Sequence, residues 1–276
     1  TRIRPDVRDA LRITSYELIF LDKDVHAAVD QGVELTRSVS PRASGLANKL
    51  LRRIATQRQS FPWGDIDLDD AALARQQAFP LWLTQRLIAD LGREGALRFM
   101  QASNQSAPLF VALNQLTGEV ESTTERLIEL GAERSSFTVE RSLGKSGIES
   151  FETTAYRLPA QSLSGLKSLI DAGRVLICDE SAQRIAALST PLPDEPFLEV
   201  GSGRGTKTVL LQRNAWLAHG RQSRLVALDL HPFKTQILLE RIAQYQLENV
   251  QPVSGDILDI DALIVAHNLP DDFGGI

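Results

Sequence analysis

The sequence predicts an α/β protein made of an all-helical module, a small α/β module and a Rossmann-like parallel sheet. Three observations predict it. Apolar residues recur at helical spacing through the first hundred positions. After Pro108, short β-like runs alternate with turn signals. From Arg174 onward, strand and helix patterns alternate, as a parallel sheet with crossover helices requires. The expected boundaries set a helical module at 1–78, linker helices with a small α/β module at 79–172, and the Rossmann-like domain at 173–276.

Val7, Ala10, Leu11, Thr14 and Leu18 mark the first helix, and Leu46, Ala47, Leu50, Leu51 and Ile54 a second, with Pro41 in its first turn and Ser40 as its cap. Ser60 to Asp70 has little periodicity and carries Pro62 and Gly64, so it reads as a linker. Pro80 opens a helix through Trp82, Leu83, Leu87 and Leu91, with Trp82 on the apolar stripe. Leu109 to Leu113 reads as a strand, Thr117-Gly118 as a turn and Val120 to Leu130 as a helix. Strand-like runs follow at Ser136 to Val139 and Phe151 to Tyr156. The predicted parallel sheet takes strands at Val175 to Cys178, Phe197 to Val200, Leu225 to Leu228 and Val250 to Val253, separated by helices at Ser181 to Leu188, Thr206 to Leu217 and Phe233 to Tyr245.

Composition narrows the function classes. With 276 residues, the chain is long enough for two or three domains. Arg or Lys interrupts every leucine-rich stretch, so no run reaches the roughly 18 apolar residues of a membrane span. One cysteine, Cys178, excludes a disulfide framework and a multi-cysteine zinc site. No signal segment opens the chain, which leaves a cytoplasmic location as the expectation. His26, His219, His231 and His267 show no ligand spacing, so no metal is expected. The net charge is −5, but it is unevenly spread. Arg42, Lys49, Arg52, Arg53 and Arg58 lie in a stretch without acids, and Glu248 to Ile276 holds six acids without Lys or Arg. Lys49, Arg52 and Arg53 are expected opposite Leu46, Leu50 and Ile54, as a solvated face or a phosphate-contacting one.

The stretch Phe197-Leu198-Glu199-Val200-Gly201-Ser202-Gly203-Arg204-Gly205-Thr206-Lys207-Thr208 ends a buried strand in a glycine-rich turn that opens a helix. Such a turn exposes bare amides to a ligand at the positive end of a helix. A dinucleotide fingerprint needs its third glycine at position 206, which is threonine, and a P-loop needs glycine directly before lysine, where Thr206 intervenes. Glu199 before the turn and Asp229 after the next strand match the acid spacing of S-adenosylmethionine methyltransferases, with Asp229 able to accept both ribose hydroxyls. Asp256, after the following strand, is either a third contact or a helix cap. Residues at the carboxyl ends of parallel strands converge on one crevice. The expected cofactor contacts are therefore Gly201, Ser202, Gly203, Arg204, Gly205, Thr206, Lys207, Asp229 and Asp256. Cys178, ending an apolar strand, reads as a buried structural thiol. Asp179 or Ser181 reads as a helix cap.

Further motifs resemble the bacterial Sun/Fmu (RsmB-type) ribosomal RNA cytosine-C5 methyltransferases. Tyr16-Glu17-Leu18-Ile19-Phe20-Leu21-Asp22, His26-Ala27-Ala28-Val29-Asp30, Val33-Glu34-Leu35 and Asn48-Lys49-Leu50-Leu51-Arg52-Arg53-Ile54 resemble their NusB-like RNA-binding domain. Pro80-Leu81-Trp82-Leu83 with Leu109 to Asn114 resembles the entry to their middle domain, and Asp179-Glu180-Ser181-Ala182-Gln183 the opening of their catalytic domain. The resemblance implies S-adenosyl-L-methionine as cofactor, ribosomal RNA as partner, and phosphate contact by Arg42, Lys49, Arg52 and Arg53.

The glycine turn departs from the family's usual Leu-Asp-Leu-Cys-Ala-Ala-Pro-Gly-Gly-Lys-Thr. Gly201 stands at its cysteine, Gly203-Arg204 at Ala-Pro and Thr206 at its second glycine, while Gly205, Lys207 and Thr208 match. In the family a thiolate attacks carbon 6 of cytosine and a second cysteine resolves the adduct. Both cysteines are expected beyond Ile276, and further NusB-like helices before Thr1, so no catalytic residue is assigned and the chain itself is expected to be inactive. Two other readings stand beside this one. One is a non-enzymatic RNA-binding or assembly protein with a degenerate cofactor site, and the other a nucleotide-dependent oxidoreductase.

Overall fold

A computed structural model describes residues 3–142, 148–192 and 194–276. The chain divides into two compact units, Thr1–Ser106 and Ala107–Ile276. The expected boundary at 78–79 lies inside the first and that at 172–173 inside the second.

The first unit is helical. Helices α1 (Pro5–Ile19), α2 (Val25–Val39) and α3 (Ser44–Gln57) bury Val7, Leu11, Leu18, Ala28, Val29, Ala47 and Leu51 against one another. Pro5 starts α1 where no backbone donor is needed. Asp24 caps α2 by accepting from the Ala27 N–H at 2.9 Å. Gly32 lets α2 close on its neighbours, since a Cβ there would stand 2.3 Å from Thr14 Oγ1 and 2.8 Å from Leu51 Cδ1. Pro41 belongs to a separate 3-10 turn, Pro41–Ala43, and the Ser40 side chain makes no capping bond, which corrects the expected start of α3.

Helix α4 (Asp70–Gln76) is capped by Asp69 and packs Leu73 against Ala96 and Met100 of α5 (Leu81–Ser103). Gly92, at φ 71° and ψ 163°, breaks α5 into two segments. Trp82 is 69% exposed, contrary to the expected core position. It lies two residues from fully buried Thr84, about 200° round the helix.

The second unit holds two sheets. Strands β1 (Leu109–Leu113), β2 (Glu133–Ser142), β3 (Ile148–Leu158) and β4 (Val175–Ile177) form a sheet in the order β2-β3-β1-β4, with every neighbouring pair antiparallel. Helices α6 (Val120–Glu129) and α7 (Lys167–Asp171) accompany it. The second sheet has β5 (Phe197–Val200), β6 (Leu225–Asp229) and β7 (Val250–Ser254), parallel and in sequence order. Helix α8 (Glu180–Leu188) precedes β5. Helices α9 (Thr206–His219) and α10 (Pro232–Gln244) make the crossovers, and α11 (Ile260–His267) follows β7.

Val175 to Cys178 was expected to begin the parallel sheet. Instead Val175–Ile177 pairs antiparallel with β1, and Val111 faces Ile177. A short apolar run carries no mark of direction, so its partner is decided by packing. Here Ala112 and Leu176 share a buried cluster with Val209, Leu210 and Tyr245, which joins the two sheets through α9 and the end of α10. Asn114 fastens the same junction, its Nδ2 donating to the carbonyls of Gly173 at 2.9 Å and Tyr245 at 3.1 Å. Arg213 of α9, 1% exposed, donates to Thr153 Oγ1 at 2.9 Å and to Asn214 Oδ1. Burial pushes this guanidinium down to about 10, and no carboxylate faces it among the described residues. No described helix is long and apolar enough to cross a membrane.

Candidate functional site

The glycine turn runs from the end of β5 to the start of α9. Gly201, Gly203 and Gly205 have φ values of 74°, 60° and 84°, a region that side chains disfavour. The third is also required by packing, because a Cβ on Gly205 would stand 2.4 Å from Leu238 Cδ1 of α10. At Gly201 nothing lies within 4 Å of that position, so its backbone faces open space. The Gly201 and Ser202 N–H groups both donate to the Leu228 carbonyl, at 2.8 and 3.0 Å, which pins the turn to the end of β6. No side chain caps α9, so its first amides remain available to an acceptor.

Asp229, closing β6, organises the site. Its Oδ2 accepts from the Gly203 N–H at 2.9 Å and its Oδ1 from the His231 N–H at 2.9 Å, while Lys234 Nζ lies 3.4 Å away. The Asp229 carbonyl accepts from the Gly255 N–H at 3.1 Å, which draws in the turn after β7. Burial acts to raise the Asp229 carboxyl, but the two amides and the Lys234 ammonium outweigh it and hold it below the usual carboxylate range. A carboxylate has about four lone-pair positions, so these three donors leave room for another.

A cavity of about 280 Å³ lies against these residues. Of the sequence-predicted contacts, Gly201, Asp229 and Asp256 line it. Ser202, Gly203, Arg204, Gly205, Thr206 and Lys207 do not. Ser202 is buried and its Oγ has no partner among the described residues. Thr206 Oγ1 accepts from Arg241 at 3.0 Å. Arg204 and Lys207 are exposed and form no ion pair among the described residues. Asp256 lines the cavity and also caps the 3-10 turn Ile257–Asp259 by accepting from the Leu258 N–H at 3.0 Å, as its reading as a cap expects. Sequence reasoning missed Lys234, His231, Leu230 and Ile257 in the lining. The signal for Lys234 was present: Pro232 starts α10 two residues earlier, placing Lys234 in its first turn beside Asp229.

Glu199 does not line this cavity. It is 8% exposed and accepts from Thr208 Oγ1 at 2.6 Å. Burial pushes its carboxyl above the ordinary value, with Thr208 and Lys207 offsetting only part of the effect. Cys178 is buried and free, and burial raises its thiol despite the opposing charge of Arg213. Asp179 caps α8 through the Ser181 N–H at 2.8 Å.

The basic residues belong to the first unit. Arg42 lies in the 3-10 turn, and Lys49, Arg52 and Arg53 on α3; all four are exposed. Arg52 Nε donates to Asn48 Oδ1 at 2.9 Å. The other three form no ion pair among the described residues. The buried side of α3 is centred on Ala47 and Leu51. Leu46, 46% exposed, lies on the side of Lys49 and Arg53 and not opposite them, since residues three and seven apart share a helix face.

Residues 1–56 match the NusB family. Over 226 residues the chain is 29% identical to ribosomal RNA small subunit methyltransferase B of Xylella fastidiosa, covering 81% of this chain and 47% of that protein. It is 24% identical over 259 residues to the probable ribosomal RNA small subunit methyltransferase B of Synechocystis, covering 92% and 54%. The chain thus spans about half the length of the curated relatives it matches. Among solved structures, PH0851 aligns with a TM-score of 0.65 at 19% identity, over 92% of this chain and 54% of that one. NSun6 from Pyrococcus horikoshii with SFG aligns with a TM-score of 0.51 at 13% identity, over 67% and 68%. The chain is similar over most of its length to the Sun/Fmu (RsmB-type) proteins that its motifs resemble. Its mixed helical and sheet fold, with a parallel three-stranded sheet, is of the expected class.

Proposed function

We propose that this chain forms the RNA-docking and cofactor-binding parts of an S-adenosylmethionine-dependent methyltransferase acting on carbon 5 of cytosine in ribosomal RNA. The observation that carries the reading is the joining of three strand ends through Asp229, which accepts from Gly203 and Gly255 beside a cavity lined by Gly201, Asp229 and Asp256. The residues fit the cofactor. Asp229 keeps acceptor capacity for ribose hydroxyls, Asp256 lies beside the same space, and the uncapped start of α9 offers amides to a carboxylate. Arg204, Thr206 and Lys207 extend that edge, and Ser202 Oγ has no partner among the described residues. When bound, S-adenosylmethionine supplies a methyl group on a sulfonium. The relative NSun6, solved with the S-adenosylmethionine analogue SFG, supports the same choice.

In this reading residues 1–78 are the NusB-like module, 79–172 carry the linker helices and small α/β module, and 173–276 bind the cofactor. Arg42, Lys49, Arg52 and Arg53 contact RNA phosphates, the target cytosine is extruded toward the crevice, and the protein works in the cytoplasm. Cysteine chemistry is not assigned to Cys178, the sequence's one thiol, because it is buried and its pKa is raised. The 276 residues alone are therefore proposed to bind without transferring a methyl group.

The test is calorimetric titration with S-adenosylmethionine and NAD separately, followed by an assay of labelled methyl transfer to ribosomal RNA. Binding of S-adenosylmethionine but not NAD is expected, with no incorporation by the chain or by its Cys178→Ser variant. Binding of neither favours the non-enzymatic RNA-binding reading, and preference for NAD favours an oxidoreductase. Incorporation that disappears in Cys178→Ser overturns the assignment of that thiol.

A further inference from the structure

A second cavity, of about 580 Å³, opens at the other end of the parallel sheet. Leu225 lines it while Asp229 lines the crevice, so the two sites stand at opposite ends of β6, roughly 13 Å apart along the strand. Its walls are held before any ligand arrives. Gln212, fully buried, donates to the Ser223 carbonyl at 2.7 Å and accepts from the Ser223 N–H at 2.9 Å. Gln222 donates to the Gln246 carbonyl at 2.9 Å and accepts from the Glu248 N–H at 2.8 Å. These bonds tie the turn before β6 to the turn before β7.

Three chemically distinct residues line this space. The Trp216 indole, 43% exposed at the end of α9, offers an aromatic face. Arg224 is exposed and forms no ion pair among the described residues, whereas Arg221 is occupied by Asp194 at 2.7 Å. The Glu248 carboxylate has no side-chain partner there. An aromatic face stacks a base, a free guanidinium forks onto a phosphate, and a carboxylate accepts from ribose hydroxyls.

We infer that this cavity binds a ribonucleoside monophosphate, free or as one residue of an RNA strand, with the base on Trp216, the phosphate on Arg224 and the ribose on Glu248. The site is separate from the cofactor crevice and does not depend on that assignment.

The full chain carrying Trp63→Phe and Trp82→Phe keeps Trp216 as its one tryptophan, whose emission is read apart from tyrosine by excitation at the red edge of the indole band. Adenosine 5′-monophosphate should quench it saturably, and adenosine, lacking the phosphate, should bind roughly tenfold more weakly. Arg224→Ala should bring the monophosphate down to the level of adenosine, and calorimetry on Trp216→Leu should show both weakened. Tighter binding of a short oligoadenylate assigns the site to RNA, and equal binding assigns it to the free nucleotide. The proposal fails if neither probe quenches saturably at millimolar concentration, or if Arg224→Ala leaves the preference for the monophosphate intact.

Discussion

The backbone N–H of Gly203 donates to the carboxylate of Asp229 over 2.9 Å. The glycine turn after β5 and the acid at the end of β6 are thus fastened to each other before any ligand is present. Asp229, proposed above as an acceptor for the cofactor, is therefore also the anchor of the loop beside it.

Replacing Asp229 by Ala should weaken S-adenosylmethionine binding by roughly 1–3 kcal/mol, because a charged acceptor is lost and the Gly203 amide is freed. Calorimetry checks this, and unchanged affinity would remove Asp229 from the site. The Asp229 carboxyl is depressed, so its stabilisation is present above the ordinary value of 3.8 and disappears as pH falls through its lower folded value. The loop should therefore hold its form through mildly acidic pH.

Neutralising Lys49 and Arg53 together should weaken RNA binding and flatten its salt dependence by about 0.7 per lost phosphate contact on a single strand. Both are exposed and unpaired among the described residues, so the helix should tolerate the change. An unchanged salt slope would make this a solvated face.

Glu199→Gln should raise the thermal midpoint at neutral pH. The folded state holds a proton on Glu199 more firmly than the unfolded chain does, so its ionisation opposes folding as pH rises past the ordinary value of 4.5. Glutamine removes that penalty and still accepts from Thr208. The gain should shrink below about pH 4, where both states are protonated; a gain independent of pH would refute the explanation.

Arg213→Ala should cost roughly 1–3 kcal/mol in urea unfolding, because the cavity at a fully buried site and the unpaired oxygens left on Thr153 and Asn214 outweigh the relief of removing a buried charge. A change below about 1 kcal/mol would mean that the site collapses without loss.

Much of the site was legible because its geometry is local. Three glycines directly after an apolar strand announce a turn with positive φ, and Asp229 follows the apolar run Leu225 to Leu228. What escaped depends on contacts far apart in sequence. Lys234 is an ordinary helix lysine until α10 is laid over the end of β6. The antiparallel pairing of Val175–Ile177 is decided by β1, more than 60 residues earlier. The exposure of Trp82 follows from which side of α5 meets α4, and the apolar pattern round Pro80 to Leu91 does not distinguish one side from the other. The bond between Gly203 and Asp229 explains why the altered glycine turn holds a defined shape, since backbone amides and the acid impose it whatever stands at Ser202 or Arg204.

The side-chain amide of Asn114, shared between the Gly173 and Tyr245 carbonyls, also bears on how the second unit comes apart. Releasing β1 from its neighbours exposes two carbonyls that belong to the connection into β4 and to the end of α10, and it opens the apolar cluster they enclose. Neither sheet can loosen without withdrawing partners from the other. The amides of β1 and β6 should therefore exchange with solvent through a common large-scale opening, so that the unit melts as one cooperative block.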